Sequence, residues 1–178
     1  MTGQLKMLLD IISYPDPRLR QKCRPVEQIG PEIRELAANM LETMYHAPGV
    51  GLAAPQVGQN IRMLVMDASP QDGDPEPRVF INPVLQPAGE LIVSEKEGCL
   101  SVPLGFRADV PRYSIVHVRA MDLDGNQIDE NLLGFDAIVL QHEADHLDGT
   151  LFIDHISHLR KSLYDGKVKK WLKTRNSG

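Results

Sequence analysis

Two histidines, His142 and His146, enclose a glutamate in the segment His142-Glu143-Ala144-Asp145-His146. Residues i and i+4 lie on one face of an α-helix, so both imidazoles could bind one metal ion. Glu143 directly follows the first histidine and could reach a water molecule at that metal. The pattern therefore predicts a helix that carries a hydrolytic metal site.

The apolar residues Phe135, Ile138 and Val139 share the helix face of the two histidines, which places this face towards the core. Buried imidazoles need polar partners, and a metal ion provides them. The alternative is a pair of core histidines around a surface glutamate, and we favour the metal. Taken alone, the motif is also typical of zinc peptidases.

A catalytic metal usually has three protein ligands and one open position, so a third ligand is required. The sequence offers Cys99, in the segment Glu97-Gly98-Cys99-Leu100-Ser101. Spacing alone cannot bring this residue to the helix, because it lies 43 residues before His142. A single cysteine is more often a small core residue. From the residues alone, the third ligand stays open.

Three short segments stand out together along the chain: GVGLAAPQ at 49–56, EGCLS at 97–101 and QHEADH at 141–146. In sequence and in order they resemble the three signature motifs of the peptide deformylase family. The likeness extends to PDPRLR at 15–20, FINP at 80–83 and GTLF at 149–152, and so covers nearly the whole chain. The resemblance implies a hydrolase that removes the formyl group from N-formylmethionyl peptides at the start of nascent proteins.

By this resemblance, the metal ligands fall on Cys99, His142 and His146. The family implies Fe²⁺ as the native ion, with Zn²⁺, Ni²⁺ or Co²⁺ able to replace it, and the ligand types alone cannot choose. Such a metal lowers the pKa of water towards about 7, so that hydroxide could attack the formyl carbon. Glu143 would act as general base and then as general acid for the leaving amine.

The resemblance also assigns residues around the reacting carbonyl group. The side-chain amide of Gln56 and the backbone N–H of Leu100 would stabilise the oxyanion. An apolar pocket for the methionine side chain would be lined by Val50, Ile138 and Val139. The backbone of Gly51 and Gly98 would lie near the peptide, and Arg107 would hold it. From the residues themselves, Arg112 would form either a buried charge pair with Asp145, together with Glu97, or a partly exposed surface pair.

The elements that must position these residues are short and mixed in type, which favours an α+β fold. The predicted strands are an edge strand over residues 7–13 and strands over 61–66, 79–85, 90–94 and 113–121, with a hairpin turn at 124–126; the predicted helices span 31–45, 135–147 and 157–173. Gly149 would close the second helix and Ser157 would cap the third. We expect one domain over residues 1–178, with antiparallel sheets packed around the central His142 helix and a C-terminal helix.

Charge is unevenly distributed along the chain. The net charge is −5, yet residues 160–178 carry seven Lys/Arg and one Asp, so the rest of the chain is strongly acidic. An acidic body argues against DNA binding. No apolar run approaches the roughly 20 residues of a membrane span, and no leader pattern or cysteine-rich framework appears, so we expect a cytoplasmic protein.

The basic C-terminal helix, about residues 157–175, allows two interpretations. Leu159, Leu163, Val168, Trp171 and Leu172 would lie on one side, typical of an amphipathic helix that packs on the body. Its lysines and arginines could instead bind ribosomal RNA, because the substrate emerges from ribosomes. The packed helix is favoured, and the ribosome remains a candidate partner.

Two functions other than deformylation remain as alternatives. A zinc peptidase would use the same helix but has no role for the segments at 49–56 and 97–101. A non-enzymatic, ribosome-associated metal-binding protein would leave Glu143 without a role, and a structural site usually has a fourth protein ligand.

Overall fold

The computed structural model describes residues 7–69 and 73–175 of the chain. The strands in this part are β1 (Gly51–Ala53), β2 (Met63–Met66), β3 (Arg78–Pro87), β4 (Leu91–Glu97), β5 (Ala108–Tyr113), β6 (Ile115–Met121) and β7 (Gln127–Leu133), and the α-helices are α1 (Pro31–His46), α2 (Gly134–Leu147) and α3 (His158–Arg175). The strands form a five-stranded sheet in the order β1-β2-β3-β6-β7 and a two-stranded sheet of β4 and β5, all antiparallel.

Helix α2 contacts strands of both sheets, which confirms the predicted α+β fold around the His142 helix. Its buried apolar residues, Ala137, Val139, Leu140 and Leu147, join the core of the large sheet. Gly149 follows the helix with φ +75°, and a Cβ there would lie 2.5 Å from the carbonyl oxygen of Arg20. The helix therefore ends where only glycine fits.

Most predicted elements are confirmed within a few residues, but two strand predictions are wrong. The predicted strand 113–121 is divided, because Tyr113 ends β5 and β6 begins at Ile115. Residues 7–13 form no strand, although Leu9 and Ile11 pack on the core as an edge strand would. The N–H groups of Met7 and Leu9 instead donate to the Asn39 and Thr43 side chains of α1. An alternation of apolar residues is compatible with an edge strand and equally with this extended segment, so the pattern could not distinguish them.

Helix α3 packs on the body through a face that shares Val168, Trp171 and Leu172 with the predicted one but not Leu159 and Leu163. Tyr164 and Val168 are buried, and Trp171 and Leu172 pack partly against the same cluster. The predicted members Leu159 and Leu163 are 69% and 62% exposed. The ring of Tyr164 stacks between those of Tyr14 and Phe106, and this aromatic contact selects the packed face. Ser157 caps the helix as predicted, accepting from the Arg160 N–H.

The domain prediction over 1–178 includes residues 1–6, 70–72 and 176–178, which lie outside the described residues.

Asp154 holds the chain between α2 and α3 and should contribute to stability at moderately acidic pH. Burial alone would raise the pKa of its carboxyl group, but hydrogen bonds from Arg20, the Leu151 N–H and Lys161 lower it to about 2. A depressed carboxyl pKa stabilises the fold above the unfolded value of about 4, and this contribution is lost as pH falls towards 2. We expect Asp154→Asn to lower stability at pH 6 and to lose less of it between pH 5 and 3 than the wild type, as measured by urea unfolding. An equal acid-induced loss in both proteins would contradict this assignment.

Candidate metal centre and active site

Three side chains from two distant parts of the sequence converge at the centre of the fold. His142 and His146 project from α2, and Cys99 comes from the turn that follows β4. One ligand atom from each lies within 4.8 Å of the other two, and Cys99 Sγ is 3.3 Å from His146 Nε2. This is the only group of three or more potential metal ligands within residues 7–69 and 73–175. The set is typical of a catalytic site with three protein ligands.

The surroundings of these residues suit a cation. Glu97 accepts from His142 Nδ1 at 3.0 Å, which leaves the other ring nitrogen for a metal. Burial would lower the pKa of His142, yet the hydrogen bonds to Cys99 and Glu97 raise it. Burial and the neighbouring His142 lower the pKa of His146 to about 3, which keeps that ring neutral. A positive charge is thus favoured between the cysteine and His142, where a metal ion would supply it.

Arg112 forms the predicted buried charge pair with Asp145 and Glu97, next to the potential metal ligands. Its guanidinium group is buried and donates to both carboxylate oxygens of Glu97, at 2.8 and 3.0 Å, and to Asp145 at 2.7 Å. Burial would raise the pKa of Glu97, but hydrogen bonds from Arg112 and His142 lower it to about 2. His155 extends the network by contacting Asp145 at 2.8 Å. The chain of contacts fixes the orientation of the His142 ring.

Glu143 lies against the backbone of β1. A Cβ on Gly51 would be 2.4 Å from Glu143 Oε1, so only glycine leaves room for this carboxylate. The other carboxylate oxygen, Oε2, is buried and has no hydrogen-bond partner among the described residues. Burial raises the pKa of the carboxyl group to about 7. A carboxylate with this pKa can both accept and return a proton near neutral pH.

Gln56 lies in a short 3-10 turn after β1 and is almost fully buried. Its Oε1 accepts from the Ala53 N–H at 2.8 Å, and its Nε2 lies 3.5 Å from Cys99 Sγ. The amide nitrogen thus lies beside Cys99, one of the three potential ligands. Leu100 directly follows Cys99 and packs over Gly49, where a Cβ would be 2.7 Å from the leucine side chain.

One cavity of about 470 Å³ opens onto this centre. It is lined by every site residue predicted from the sequence except His146, namely Val50, Gly51, Gln56, Gly98, Cys99, Leu100, Arg107, Ile138, Val139, His142 and Glu143. His146 lies beneath the cavity floor and is 1% exposed. The structure therefore brings these residues together at one cavity.

Several residues of the cavity were not predicted. Strand β4 contributes Ser94–Lys96, and Phe106 and Phe135 add aromatic surface at the walls. Phe106 directly precedes the predicted Arg107, and Phe135 begins the apolar stripe of the His142 helix. Their positions in the sequence could therefore have indicated that they line the cavity. Arg107 donates to the carbonyl oxygen of Lys96 at 3.1 Å and packs beside Gly98.

Comparison with known proteins shows the family. The sequence model described as polypeptide deformylase matches residues 8–162. The chain belongs to the polypeptide deformylase family. The peptide deformylase of Psychrobacter cryohalolentis is 48% identical over 168 residues, which cover 94% of this chain and 90% of that protein. The enzyme of Pseudomonas aeruginosa is 47% identical over 163 residues, which cover 92% and 95% of the two chains.

Solved deformylase structures have the same fold. The structure from Legionella pneumophila aligns with a TM-score of 0.86 at 37% identity and covers 97% of this chain and 99% of that one. The structure from Ehrlichia chaffeensis aligns with a TM-score of 0.87 at 36% identity, with coverage of 95% and 99%. This deformylase is therefore a hydrolase that removes the formyl group from the N-terminal methionine of nascent proteins, which excludes the zinc peptidase and the non-enzymatic alternative.

The contact between Gly51 and Glu143 leads to a prediction for this deformylase. We expect Gly51→Ala to lower kcat by about 100-fold, because the new Cβ displaces the carboxylate and small misplacements have effects of this size. Metal content should be unchanged. Gly166→Ala is the matched control, since a Cβ there meets nothing within 4 Å. Steady-state kinetics of both variants test the contact, and an unchanged kcat in Gly51→Ala would contradict it.

Proposed function

We propose that Cys99, His142 and His146 hold a divalent metal and that Glu143 transfers protons during deformylation at this site. The observation that carries this proposal is the buried Glu143 carboxylate, whose Oε2 has no partner among the described residues and which lines the cavity together with Cys99 and His142. An unpaired buried carboxylate oxygen is costly, so its position calls for a function.

We infer that the metal in the cell is Fe²⁺, with Zn²⁺, Ni²⁺ or Co²⁺ as possible substitutes. The family is metal-dependent, and one thiolate with two imidazoles accepts each of these ions. When bound, the metal acts as a Lewis acid that lowers the pKa of water towards about 7. Elemental analysis of protein purified without oxygen tests the inference, and zinc as the main ion in such a preparation would contradict it.

The chain's own residues perform the proton transfers and stabilise charge. Glu143 takes the proton of the attacking water and returns it to the nitrogen of the leaving amine, so that one carboxylate serves as base and then as acid. As the formyl carbon becomes tetrahedral, its oxygen gains negative charge. We assign the stabilisation of this charge to the Gln56 Nε2–H and the Leu100 N–H, and one such donor contributes about 3–4 kcal/mol.

We propose that the methionine side chain binds against Val50, Ile138 and Val139, with the peptide backbone beside Gly51 and Gly98 and with Arg107 at its far end. The support is their common position on the cavity wall. A related deformylase from Acinetobacter baumannii has been solved with Met-Ala-Ser bound. A peptide of that length suits a cavity of about 470 Å³.

The assay for this assignment uses formyl-Met-Ala-Ser and separates deformylation from peptide-bond cleavage. We expect formate and intact Met-Ala-Ser as products, with no free alanine or serine. Replacing methionine by glycine in the substrate should raise KM, since the apolar pocket then stays empty. Cleavage inside the tripeptide, or an unchanged KM for the glycine substrate, would contradict the assignment.

We also propose that the enzyme acts in the cytoplasm and that α3 contacts ribosomes. Arg160, Lys167, Lys169 and Lys170 are exposed on the helix. Within residues 7–69 and 73–175, no helix has the length and hydrophobicity to cross a membrane. Co-sedimentation with ribosomes at increasing salt tests the contact. Binding that is insensitive to salt, or that survives replacement of the four cations by glutamine, would contradict it.

A further inference from the structure

The Gln56 side chain is fixed at both ends of its amide group. Its Oε1 accepts from the Ala53 N–H at 2.8 Å, and its Nε2 donates to Ser101 Oγ at 3.0 Å. Gln56 is 1% exposed and Ser101 is fully buried, so water does not compete for these bonds. Because a backbone N–H can only donate, the oxygen of the amide must face Ala53 and the nitrogen must face Ser101.

This arrangement determines which hydrogen of the amide is available for a substrate. The Nε2 group carries two hydrogens. One is donated to the Ser101 hydroxyl at 3.0 Å, and the other to Cys99 Sγ at the longer distance of 3.5 Å. The second hydrogen is therefore directed towards Cys99, which lines the cavity, and a substrate oxygen bound beside Cys99 would take over this hydrogen. Without the hydroxyl, the first hydrogen would be buried without an acceptor and the amide could rotate to find one.

The backbone reinforces the same pairing. The Ile12 N–H donates to the Gln56 carbonyl oxygen, and the Tyr14 N–H donates to the Ser101 carbonyl oxygen, both at 2.8 Å. Two residues of one extended segment thus hold together the two loops whose side chains meet. The Ser101 N–H also lies 3.4 Å from Cys99 Sγ. The position of the serine is therefore fixed independently of the Gln56 amide.

We propose that Ser101 is a positioning residue for deformylation, which acts by orienting the Gln56 amide towards the developing oxyanion. This inference rests on the proposed role of Gln56 as an oxyanion donor. Ser101 is fully buried and does not line the cavity. Its effect on the reaction passes through the hydrogen bond to Gln56.

The test is a double-mutant cycle on the metal-loaded enzyme with Ser101→Ala and Gln56→Ala. We expect Ser101→Ala to lower kcat by about tenfold, with KM within about twofold and with unchanged metal content, because a misplaced donor loses transition-state stabilisation only. In the Gln56→Ala background, Ser101→Ala should change kcat by less than about twofold. Single-turnover reactions with excess enzyme measure the slow variants. Ser101→Cys keeps the volume with a weaker acceptor and should be intermediate.

Thr43→Val is the control for loss of a buried hydroxyl group. Thr43 accepts from Leu9 and donates to Asn39 in α1, away from the cavity, so its loss should lower stability without changing kcat. A second readout is the Gln56 side-chain amide signal in ¹⁵N NMR, assigned by its absence in Gln56→Ala. Ser101→Ala should shift this signal and speed its hydrogen exchange, and Thr43→Val should not.

The possible failures can be separated. Equal losses of kcat from Ser101→Ala in both backgrounds, or an unchanged Gln56 signal, would overturn the positioning role and leave the role of Gln56 intact. Wild-type kcat in metal-loaded Gln56→Ala would overturn the oxyanion assignment and the positioning role together.

Discussion

Glu143→Gln is expected to lower kcat for formyl-Met peptides by about 10²- to 10⁴-fold while one metal ion per chain is retained. Glutamine has nearly the same shape, so it fits beside Gly51 and does not disturb His142 or His146. It cannot accept the proton of water. In the wild type, burial raises the pKa of this carboxyl group to about 7, where proton exchange is most efficient.

The measurement is formate release at matched metal content, with Glu35→Gln as the control. Glu35 is an exposed glutamate on α1, so the same chemical change there should leave kcat unaltered. A metal-loaded Glu143→Gln enzyme with a kcat within tenfold of the wild type would show that another group transfers the proton.

Cys99→Ala is expected to lose both metal and activity. Two imidazoles remain, and His146 loses the thiol at 3.3 Å. Loss of a supporting partner alone lowers metal affinity by about 10- to 100-fold, so the loss of a ligand should exceed this range. Metal affinity measured by competition with a chelator tests the prediction. Stoichiometric, tight metal in Cys99→Ala would remove the cysteine from the ligand set.

The second cysteine provides the control for this experiment. Cys23 is buried in the core of the large sheet, and burial raises the pKa of its thiol to about 11, so it is a poor ligand. Cys23→Ala should retain the metal with some loss of stability. The two variants therefore separate ligation from the general effect of losing a thiol.

Local geometry predicted the helical part of the candidate site, and the resemblance to a family indicated most of its other residues. The spacing of His142 and His146 fixes both side chains on one helix face without any tertiary information. The need of Arg112 for a carboxylate partner follows similarly from the cost of burying a charge. Cys99 differs, because no local rule brings it to α2, and only the likeness to a family indicated it.

Other features depended on packing that the sequence does not display. Residues 7–13 have the apolar alternation of an edge strand. The N–H groups of Met7 and Leu9 nevertheless donate to side chains of α1, and the N–H group of Ile12 donates to the carbonyl oxygen of Gln56. Leu159 and Leu163 fit a helical stripe, but the stacking of Tyr164 between Tyr14 and Phe106 turns α3 and leaves them exposed. The bond between Gln56 and Ser101 joins residues 45 positions apart, so spacing alone could not show it.

The most direct test of the whole account is formate release from a formyl-Met tripeptide by protein purified without oxygen or reconstituted with Ni²⁺ or Co²⁺. Wild type and Glu143→Gln are compared at equal metal content. Multiple turnovers by the wild type, with near-complete loss in the variant, are the predicted result. A metal-loaded, folded wild type that releases no formate would contradict the assignment of this cavity as the deformylase site.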